Sequence, residues 1–329
     1  MKLGIVGSGM IVHDVLPVLK RIPEIQLQAI FGLASDITVL EQLQDEYKIQ
    51  EVFIEYEDFL ASTEFDTVYI ALPNNLHFAF SKQALEAGKH VICEKPFTSN
   101  LNELEQLIDI ANQKPVFLLE AITNQYSPNY QAIRELMPEL GAIKLIEANY
   151  SQYSSRYDAF KNGTILPAFD RSKSGGALMD LNSYNVHFVA GLLGAPNAVQ
   201  YAANIEQAID TSGILMFDYG STKAVCIGAK DCAATSFVTI QGENGTIHVD
   251  GAANVLPEFT HYDRKSGTIT NYNYEADKHR MYDEFVAFTK MLAANDVQQM
   301  QQRLEHSRNV MQILTQARIS AGIIFPADE

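Results

Sequence analysis

The first part of the chain, to about residue 120, alternates short apolar runs with amphipathic stretches. This alternation is typical of parallel strands joined by crossover helices, so we predict an α/β fold with a doubly wound parallel sheet. Helices are predicted at Phe78–Ala87, which stops at Gly88, and at Leu101–Asn112, where Asn100 and Glu103 resemble a capping box. The predicted strands are Lys2–Val6, Leu27–Phe31, Glu51–Phe53, Thr67–Leu72, His90–Cys93 and Val116–Leu119.

From about Gly141 the pattern changes to longer strands in which apolar and polar residues alternate, which indicates an open, mostly antiparallel sheet. A helix from Gly176 to about Leu193 interrupts these strands, and the helices Met281–Ala294 and Gln298–Ser320 follow them. We therefore predict a C-terminal α+β domain, with domain boundaries at residues 1–121 and 122–329. The predicted strands are Ile143–Tyr153, Val199–Ile205, Gly213–Tyr219, Lys223–Ala229 and Thr235–Gln241.

The composition changes this picture little, because 47 % of the 329 residues are hydrophobic and 19 % are charged, enough for two packed cores. The formal net charge of −16 repels polyanions at long range, which argues against nucleic acid or an anionic membrane as a partner. No apolar run approaches the length of a membrane span. Any phosphate group must therefore be bound by local structure.

The three cysteines, Cys93, Cys226 and Cys232, lack the tight pairing of zinc sites. We interpret them as reduced thiols and predict no metal site. The first residues lead directly into a strand, without the apolar core and small-residue cleavage site of a secretion signal. These features favour a cytoplasmic protein.

A glycine pattern connects the first predicted strand to a helix. Gly7 permits a tight turn, and Gly9 lets the backbone approach a pyrophosphate at the helix N-terminus. This context indicates a Rossmann domain that binds a dinucleotide, with glycines that serve the turn geometry alone as the alternative. Val12 stands where the strict pattern has a third glycine, which predicts slightly wider spacing of helix and strand. The predicted contacts are Gly7, Ser8, Gly9, Met10 and Ile11.

The second predicted strand has neither an acid nor an arginine at its tip, where Rossmann domains distinguish NAD from NADP. Asp36 is the nearby carboxylate. It either bonds a ribose hydroxyl or, with Ser35, caps the helix that runs to Tyr47. Ser35 is a cofactor-binding candidate in both cases, and the sequence predicts NAD or NADP without choosing between them.

Ligands of open parallel sheets lie beyond the carboxyl ends of the strands, so the loops there hold further candidates. After the fourth strand, Asn74 bonds ribose or nicotinamide or serves the turn, and His77 either contacts the cofactor or caps the next helix. After the fifth strand, Pro96 biases Lys95 to an extended conformation that points its side chain into the crevice, although a surface lysine is the alternative. The cofactor-binding candidates here are Leu72, Pro73, Asn74, His77, Glu94 and Lys95.

The helix after Gly176 carries three polar side chains on one face. Offsets of four and seven residues nearly complete whole turns, so Asp180, Tyr184 and His187 are predicted to point the same way, into a cleft between the domains. A solvated helix face, or a buried histidine satisfied by Asp180, is an equally weighted alternative.

Together these motifs resemble the glucose-fructose oxidoreductase and inositol dehydrogenase family (Gfo/Idh/MocA) over essentially the whole chain. The resemblance rests on the glycine turn, Pro73 to His77, Glu94-Lys95-Pro96 and the helix start from Gly175 to Asp180. It implies an NAD(P)-dependent dehydrogenase that moves a hydride between nicotinamide and a hydroxyl-bearing carbon of a sugar, polyol or diol. It also implies homodimers or homotetramers formed through the C-terminal sheet.

The resemblance further assigns roles to individual residues. It implies that Lys95 is the catalytic-site lysine, that Asp180 orients the substrate, and that Tyr184 is the acid/base residue. Members similar to inositol dehydrogenases carry histidine where Tyr184 stands, whereas those similar to dihydrodiol dehydrogenase carry tyrosine. The predicted substrate contacts are His187, Arg156 and Asn124.

Two departures from the family leave the substrate open. Gln125 stands where the family often has arginine, and the loop with Arg156, Tyr157 and Arg171 looks specialised. The absent ribose acid and Val12 motivate an alternative function, a catalytically silent nucleotide-binding sensor or regulatory protein. Reduction of an imine or a tetrapyrrole is a third alternative on the same fold, but the lysine and tyrosine favour alcohol chemistry.

Overall fold

The structure, a computed structural model, describes residues 1–274 and 278–329. It divides into two units, each discontinuous in sequence. The first contains Met1–Ala121 with Met281–Arg308, and the second contains Ile122–Arg280 with Asn309–Glu329. Residues 281–308, which the sequence pattern assigned to the second domain, group with the first unit because Phe285 packs edge-on against Tyr69, with ring centroids 5.3 Å apart.

A parallel sheet forms the centre of the first unit. Its strands are β1 (Lys2–Val6), β2 (Gln26–Phe31), β3 (Glu51–Phe53), β4 (Thr67–Ile70), β5 (His90–Glu94) and β6 (Leu118–Ala121). The strand order is β3-β2-β1-β4-β5-β6, so the predicted doubly wound sheet is confirmed. The order reverses between β1 and β4, and this is where open sheets bind nucleotides.

The helices that follow these strands are α1 (Met10–Leu19), α2 (Ile37–Tyr47), α3 (Tyr56–Ala61), α4 (Asn74–Glu86) and α5 (Leu101–Gln113). Of the two helices predicted here with both bounds, the one at Leu101–Asn112 matches within one residue, whereas the one at Phe78–Ala87 begins four residues earlier, at Asn74. The predicted cap of α5 is confirmed, since Asn100 Oδ1 accepts the backbone N–H of Glu103 at 2.9 Å. The carboxylate of Glu103 accepts the N–H of Ser99, at 2.8 Å, and so completes the cap one residue earlier than a strict capping box.

The second unit contains an open sheet. Its strands are β7 (Ile143–Ser151), β8 (Ala198–Glu206), β9 (Ile209–Asp218), β10 (Lys223–Ala229), β11 (Phe237–Gly242), β12 (Gly245–Val249), β13 (Phe259–Asp263) and β14 (Ile269–Tyr272). The order is β14-β13-β12-β11-β7-β10-β9-β8, and among the residues that the structure describes, β7 and β10 pair in parallel while the other neighbouring strands pair antiparallel. The predicted open, mostly antiparallel sheet is therefore confirmed.

The remaining helices lie before β7, between β7 and β8, or after β14 in the chain. They are α6 (Pro128–Leu136), α7 (Tyr157–Lys161), α8 (Ser183–Leu193), α9 (Tyr282–Ala293) and α10 (Val297–Ser320). Among the described residues, none of the helices combines the length and apolar character that a membrane crossing requires.

A buried ion pair holds the chain after α10. Arg318 donates to both carboxylate oxygens of Asp328, at 2.5 and 2.9 Å, and to the carbonyl of Ile323 at 2.8 Å. Asp328 also accepts the N–H of Phe325, whose ring lies 3.9 Å from the guanidinium carbon. The two charged side chains are only 1 % and 8 % exposed, so their attraction is little screened.

We expect Arg318→Met to lower the free energy of unfolding by about 3–5 kcal/mol, because it leaves the Asp328 carboxylate buried without its counter-charge. Urea denaturation followed by circular dichroism measures the change. Arg308→Met is the matched control in the same helix, since Arg308 pairs with Glu105 and Glu305 but is about one-third exposed. It should cost at most about 1 kcal/mol. Equal losses of unfolding free energy in both variants would show that the buried Arg318–Asp328 pair stabilises the fold no more than an exposed pair does.

Candidate active site

The turn between β1 and α1 can be built only with glycine at its first position. Gly7 has φ +116°, and a Cβ there would lie 2.5 Å from the carbonyl oxygen of Ala71. At Gly9 nothing lies within 4 Å of the position that a Cβ would take, and no side chain caps α1. The first turn of α1 therefore offers backbone amides and a positive dipole end to an anion.

Asp36 lies beside this glycine turn. Its carboxylate accepts the hydroxyl of Ser8 at 3.3 Å and that of Ser35 at 3.2 Å. Asp36 occupies the N-cap position of α2, but its side chain makes no capping bond to that helix. The sequence has no lysine or arginine from residue 3 to 19 or from 22 to 47. The carboxyl ends of β1 and β2 and the helices' first turns thus have a nearby carboxylate and no lysine or arginine within these two ranges.

The loops after β4 and β5 are joined by a buried imidazole. His77 Nε2 lies 2.8 Å from the carbonyl oxygen of Leu72, and Nδ1 lies 2.9 Å from that of Pro96. Burial lowers the pKa of His77, and a neutral ring donates to one of the two carbonyls. His77 does not cap α4, as one interpretation had it, and it faces the protein interior. The imidazole therefore connects the two loops.

The loop after β4 keeps a polar atom without a partner. Asn75 Oδ1 is buried and accepts no hydrogen bond from any residue that the structure describes. Pro73 is exposed, and Leu72 and Asn74 are half-buried. The loop thus combines accessible side chains with an acceptor suited to a hydroxyl or amide donor.

Lys95 follows β5 between two buried neighbours. Glu94 is buried and accepts a short hydrogen bond from the hydroxyl of Tyr69, while Pro96 is buried and bonded to His77 as described above. Lys95 itself is half-buried. Glu94, the last residue of β5, thus anchors the strand end in the interior, and Lys95 follows it with part of its surface exposed.

In the second unit, the helix with the predicted catalytic side chains begins with a wide turn. Leu178–Asn182 is a π-helical turn that continues into α8, so the purely α-helical spacing that we assumed for Asp180 and Tyr184 does not hold there. Tyr184 and His187 are buried, which excludes a solvated face for these two residues. Asp180 remains one-third exposed.

The start of this helix is fixed by a buried carboxylate. Asp210 accepts the backbone N–H of Leu178 at 2.6 Å and the hydroxyl of Tyr201 at 2.7 Å. Gly176 has φ +102°, and a Cβ there would lie 2.1 Å from Asp210 Oδ1, so only glycine lets the carboxylate approach. Burial raises the pKa of Asp210, and the bonds that it accepts oppose this rise. Gly176 is thus explained by a helix cap supplied from β9, whereas a Cβ at Gly175 would lie 2.6 Å from the carbonyl oxygen of Pro167.

Side-chain amides hold the backbone of α8. Asn124 Nδ2 donates to the carbonyl of Tyr184 at 2.9 Å, and Gln125 Nε2 donates to that of His187 at 2.9 Å. Asn185 Nδ2 donates to the carbonyl of Ile227 at 3.0 Å. Asn124, predicted as a substrate contact, is buried and bonded to the helix. Its amide nitrogen therefore holds the backbone at residue 184.

Lys230, directly after β10, was missed by the sequence analysis. Its ammonium donates to Asp180 Oδ2 at 2.6 Å and to the carbonyl of Ala168 at 2.9 Å, and it lies 4.7 Å from the ring centroid of Phe169. Arg156, another predicted substrate contact, immediately precedes α7 and is half-buried. Nothing in the local pattern marks Lys230, because its partner lies fifty residues earlier.

The cysteines and acidic groups give no sign of a metal centre. Cys93, Cys226 and Cys232 are free, and burial raises the pKa of the Cys93 and Cys226 thiols. Within the part of the chain that the structure describes, no group of three or more histidine, cysteine, aspartate or glutamate side chains is arranged to hold a metal ion.

Comparison with known families covers most of the chain. Residues 1–121 match the family model described as "Oxidoreductase family, NAD-binding Rossmann fold", and residues 130–248 match the GFO/IDH/MocA C-terminal domain. A 3-ketoreductase from Actinomadura kijaniata, solved in complex with NADP, shares the fold with a TM-score of 0.79 and 19 % sequence identity, over 97 % of each chain.

Two relatives with known names extend the comparison. The chain is 32 % identical to scyllo-inositol 2-dehydrogenase (NADP(+)) IolU of Bacillus subtilis (strain 168), over all of this chain and 99 % of the relative. It is 31 % identical to D-xylose 1-dehydrogenase (NADP(+)) 2 of Haloferax volcanii, over 78 % of each. With both domain models matched in order, the chain belongs to the Gfo/Idh/MocA family of oxidoreductases and carries that family's NAD-binding Rossmann domain.

Proposed function

We propose that the protein is an NAD(P)-dependent dehydrogenase that transfers a hydride between nicotinamide and a hydroxyl-bearing carbon of a sugar, polyol or diol. The observation that carries the proposal is the anchoring of the helix with Asp180 and Tyr184. Asn124, Gln125 and Asp210 hold its backbone through buried hydrogen bonds. Preorganisation of this kind serves catalysis, and nucleotide binding alone does not need it.

The residues of the first unit fit a dinucleotide. Gly7, Ser8 and Gly9 with the first turn of α1 would hold the pyrophosphate, and Met10 and Leu33 are strongly exposed apolar side chains suited to the adenine. Further proposed contacts are Ile11, Ser35, Leu72, Pro73, Asn74 and the backbone of Glu94. The buried acceptor of Asn75 also suits a hydroxyl or carboxamide donor. The bound nicotinamide supplies the hydride chemistry.

The same unit indicates NAD as the preferred nucleotide, in contrast to the NADP(+) in the names of the two relatives. NADP differs from NAD by a ribose 2′-phosphate, which Rossmann domains bind with a basic side chain near the end of β2. Here the glycine turn instead contacts the carboxylate of Asp36 through Ser8. That carboxylate can accept a bond from a ribose hydroxyl and repels a phosphate.

For alcohol oxidation, we assign proton transfer to Tyr184. Its phenolate takes the proton of the substrate hydroxyl and becomes the phenol, and the positive charge of Lys95 favours the phenolate. Asp180 accepts a hydrogen bond from a substrate hydroxyl and so orients the carbon that loses hydride. His187 and Arg156 are the proposed further contacts to the substrate.

A substrate screen tests this assignment. Oxidation of scyllo-inositol, D-xylose and a dihydrodiol is followed by the absorbance of reduced nucleotide, with NAD and with NADP. We expect turnover of at least one polyhydroxylated substrate class. Tight binding of reduced nucleotide with no oxidation across a broad alcohol panel would instead support the catalytically silent sensor.

We further propose that the protein forms a homodimer or homotetramer through the C-terminal sheet. One face of β7, β9 and β10 is buried against the interior, while the other exposes apolar side chains. On this outer face, Leu145 of β7 and Ile214 and Met216 of β9 are each 43 % exposed, and the two strands lie on either side of β10. Contiguous exposed apolar area of this kind is typical of a subunit interface.

Met216→Asp should shift the protein to a smaller oligomer, because it places a charge in the centre of this outer face. Size-exclusion chromatography with light scattering measures the mass. Ile319→Asp is the control, since Ile319 is 45 % exposed and belongs to helix α10 and not to the sheet. Ile319→Asp should leave the mass unchanged. An unchanged mass for Met216→Asp as well would show that this face of the sheet is not the subunit interface.

A further inference from the structure

We infer that Lys230 is a positioning residue that holds the carboxylate of Asp180 in its substrate-orienting conformation. The inference rests on the proposed function, which gives Asp180 its role. It starts from the contact between the Lys230 ammonium and Asp180 Oδ2, at 2.6 Å, in the second unit.

The site of Lys230 is built for an ammonium group. The side chain is 2 % exposed, and besides Asp180 it bonds the carbonyl of Ala168 at 2.9 Å and stacks over Phe169 at 4.7 Å. A carboxylate, a carbonyl oxygen and an aromatic face are three environments that stabilise a positive charge. Its backbone is fixed too, because the N–H of Lys230 donates to the carbonyl of Thr211 at 2.8 Å.

The two partners of this ion pair differ in exposure. Lys230 is enclosed, whereas 34 % of the Asp180 side chain reaches solvent. The buried ammonium of Lys230 therefore binds one oxygen of the Asp180 carboxylate, which is still partly accessible to a ligand. Because burying an unpaired ammonium is costly, Lys230 favours the ionised form of Asp180 and the single conformation that satisfies it.

This arrangement determines what Asp180 can do. An ionised carboxylate accepts a hydrogen bond from a substrate hydroxyl and does not donate a proton. Asp210, another carboxylate near Lys230, already receives the hydroxyl of Tyr201 and the N–H of Leu178. These two carboxylates near Lys230 thus have different roles. Asp210 fixes the backbone at the helix start, and Asp180 accepts the hydrogen bond from the substrate.

The test compares Lys230→Met and Lys230→Arg with the wild type, using the substrate found in the screen. We expect Lys230→Met to raise KM for the alcohol about 10- to 100-fold, the loss of one charged hydrogen bond. The Kd for NADH, measured by fluorescence titration, should not change. Lys230→Arg should recover part of the loss. A Lys230→Met enzyme with wild-type KM and kcat would overturn the inference.

Lys89→Met is the matched control. Lys89 is also buried and bonds the carbonyls of Ser62 and Phe65, beneath the ring of Phe65, but it lies in the first unit. It should lower stability without changing KM for the alcohol. Equal KM changes in both variants would assign the effect to general destabilisation and would contradict a positioning role.

A double variant covers the case in which Lys230→Met alone fails to fold. Lys230→Met combined with Asp180→Asn leaves neither charge uncompensated, and its KM should equal that of Asp180→Asn alone. A further rise in KM in the double variant would mean that Lys230 acts separately from Asp180, and the inference would fall. Absence of turnover in the wild type, by contrast, contradicts the proposed function itself.

Discussion

Replacing Tyr184 by phenylalanine should lower kcat for alcohol oxidation by about 10²- to 10⁴-fold, the usual contribution of a general acid/base. The substitution removes only the hydroxyl, and the backbone contact from Asn124 to residue 184 does not depend on it. Folding and NADH affinity should therefore stay at wild-type values. Steady-state kinetics, circular dichroism and fluorescence titration measure these three quantities.

Lys95→Met should cause a loss of similar size, because it removes the charge that favours the deprotonated phenol. Groups that act as a unit show non-additive effects, so the variant lacking both groups should be little worse than either single variant. Tyr219→Phe is the control for Tyr184→Phe. Tyr219 donates to the carbonyl of Gly194, just beyond the other end of α8, and its loss should leave kcat unchanged. Wild-type turnover in both Tyr184→Phe and Lys95→Met would rule out the assigned mechanism.

The wild-type protein should bind NADH at least about tenfold more tightly than NADPH, because the carboxylate of Asp36 opposes a 2′-phosphate. Asp36→Asn keeps the size of the side chain and removes its charge. We expect Asp36→Asn to weaken NADH binding slightly and to strengthen NADPH binding. The ratio of the two dissociation constants should therefore move toward one. Fluorescence titration with both reduced nucleotides measures the four dissociation constants.

The charge effect at Asp36 needs a control elsewhere on the same unit. Glu41→Gln removes one negative charge from the exposed side of α2 and should leave the ratio of the two dissociation constants unchanged. A wild-type preference for NADPH would show that groups outside the β1-α1-β2-α2 segment bind the 2′-phosphate. The proposal of NAD preference would then fail, while the dehydrogenase assignment would stand.

Local sequence signals predicted much of the first unit. Apolar runs marked its six strands, and Gly7 was recognised because the tight turn needs a residue without a Cβ. The Asn100 cap was visible because a capping bond joins residues three apart. Each of these features depends on neighbours in the chain, and such patterns can be read from the sequence.

Contacts between distant residues could not be predicted in this way. The pairing of Lys230 with Asp180 and the cap that Asp210 gives to Leu178 join different elements. The wide turn at Leu178–Asn182 has no periodic signature, so the assumed α-helical spacing was wrong there. Strands β12 to β14 were missed because they are short and their exposed residues are mostly polar.

The imidazole of His77 has a consequence for how nucleotide binding and Lys95 are linked. One buried ring contacts the loop after β4 and the loop that carries Lys95, so the two loops share a single support. A nucleotide that restrains the loop after β4 therefore also restrains the loop that carries Lys95. The coupling is reciprocal. A substitution that makes the Lys95 loop more mobile lowers the affinity for nucleotide, even when the substituted residue does not contact the nucleotide.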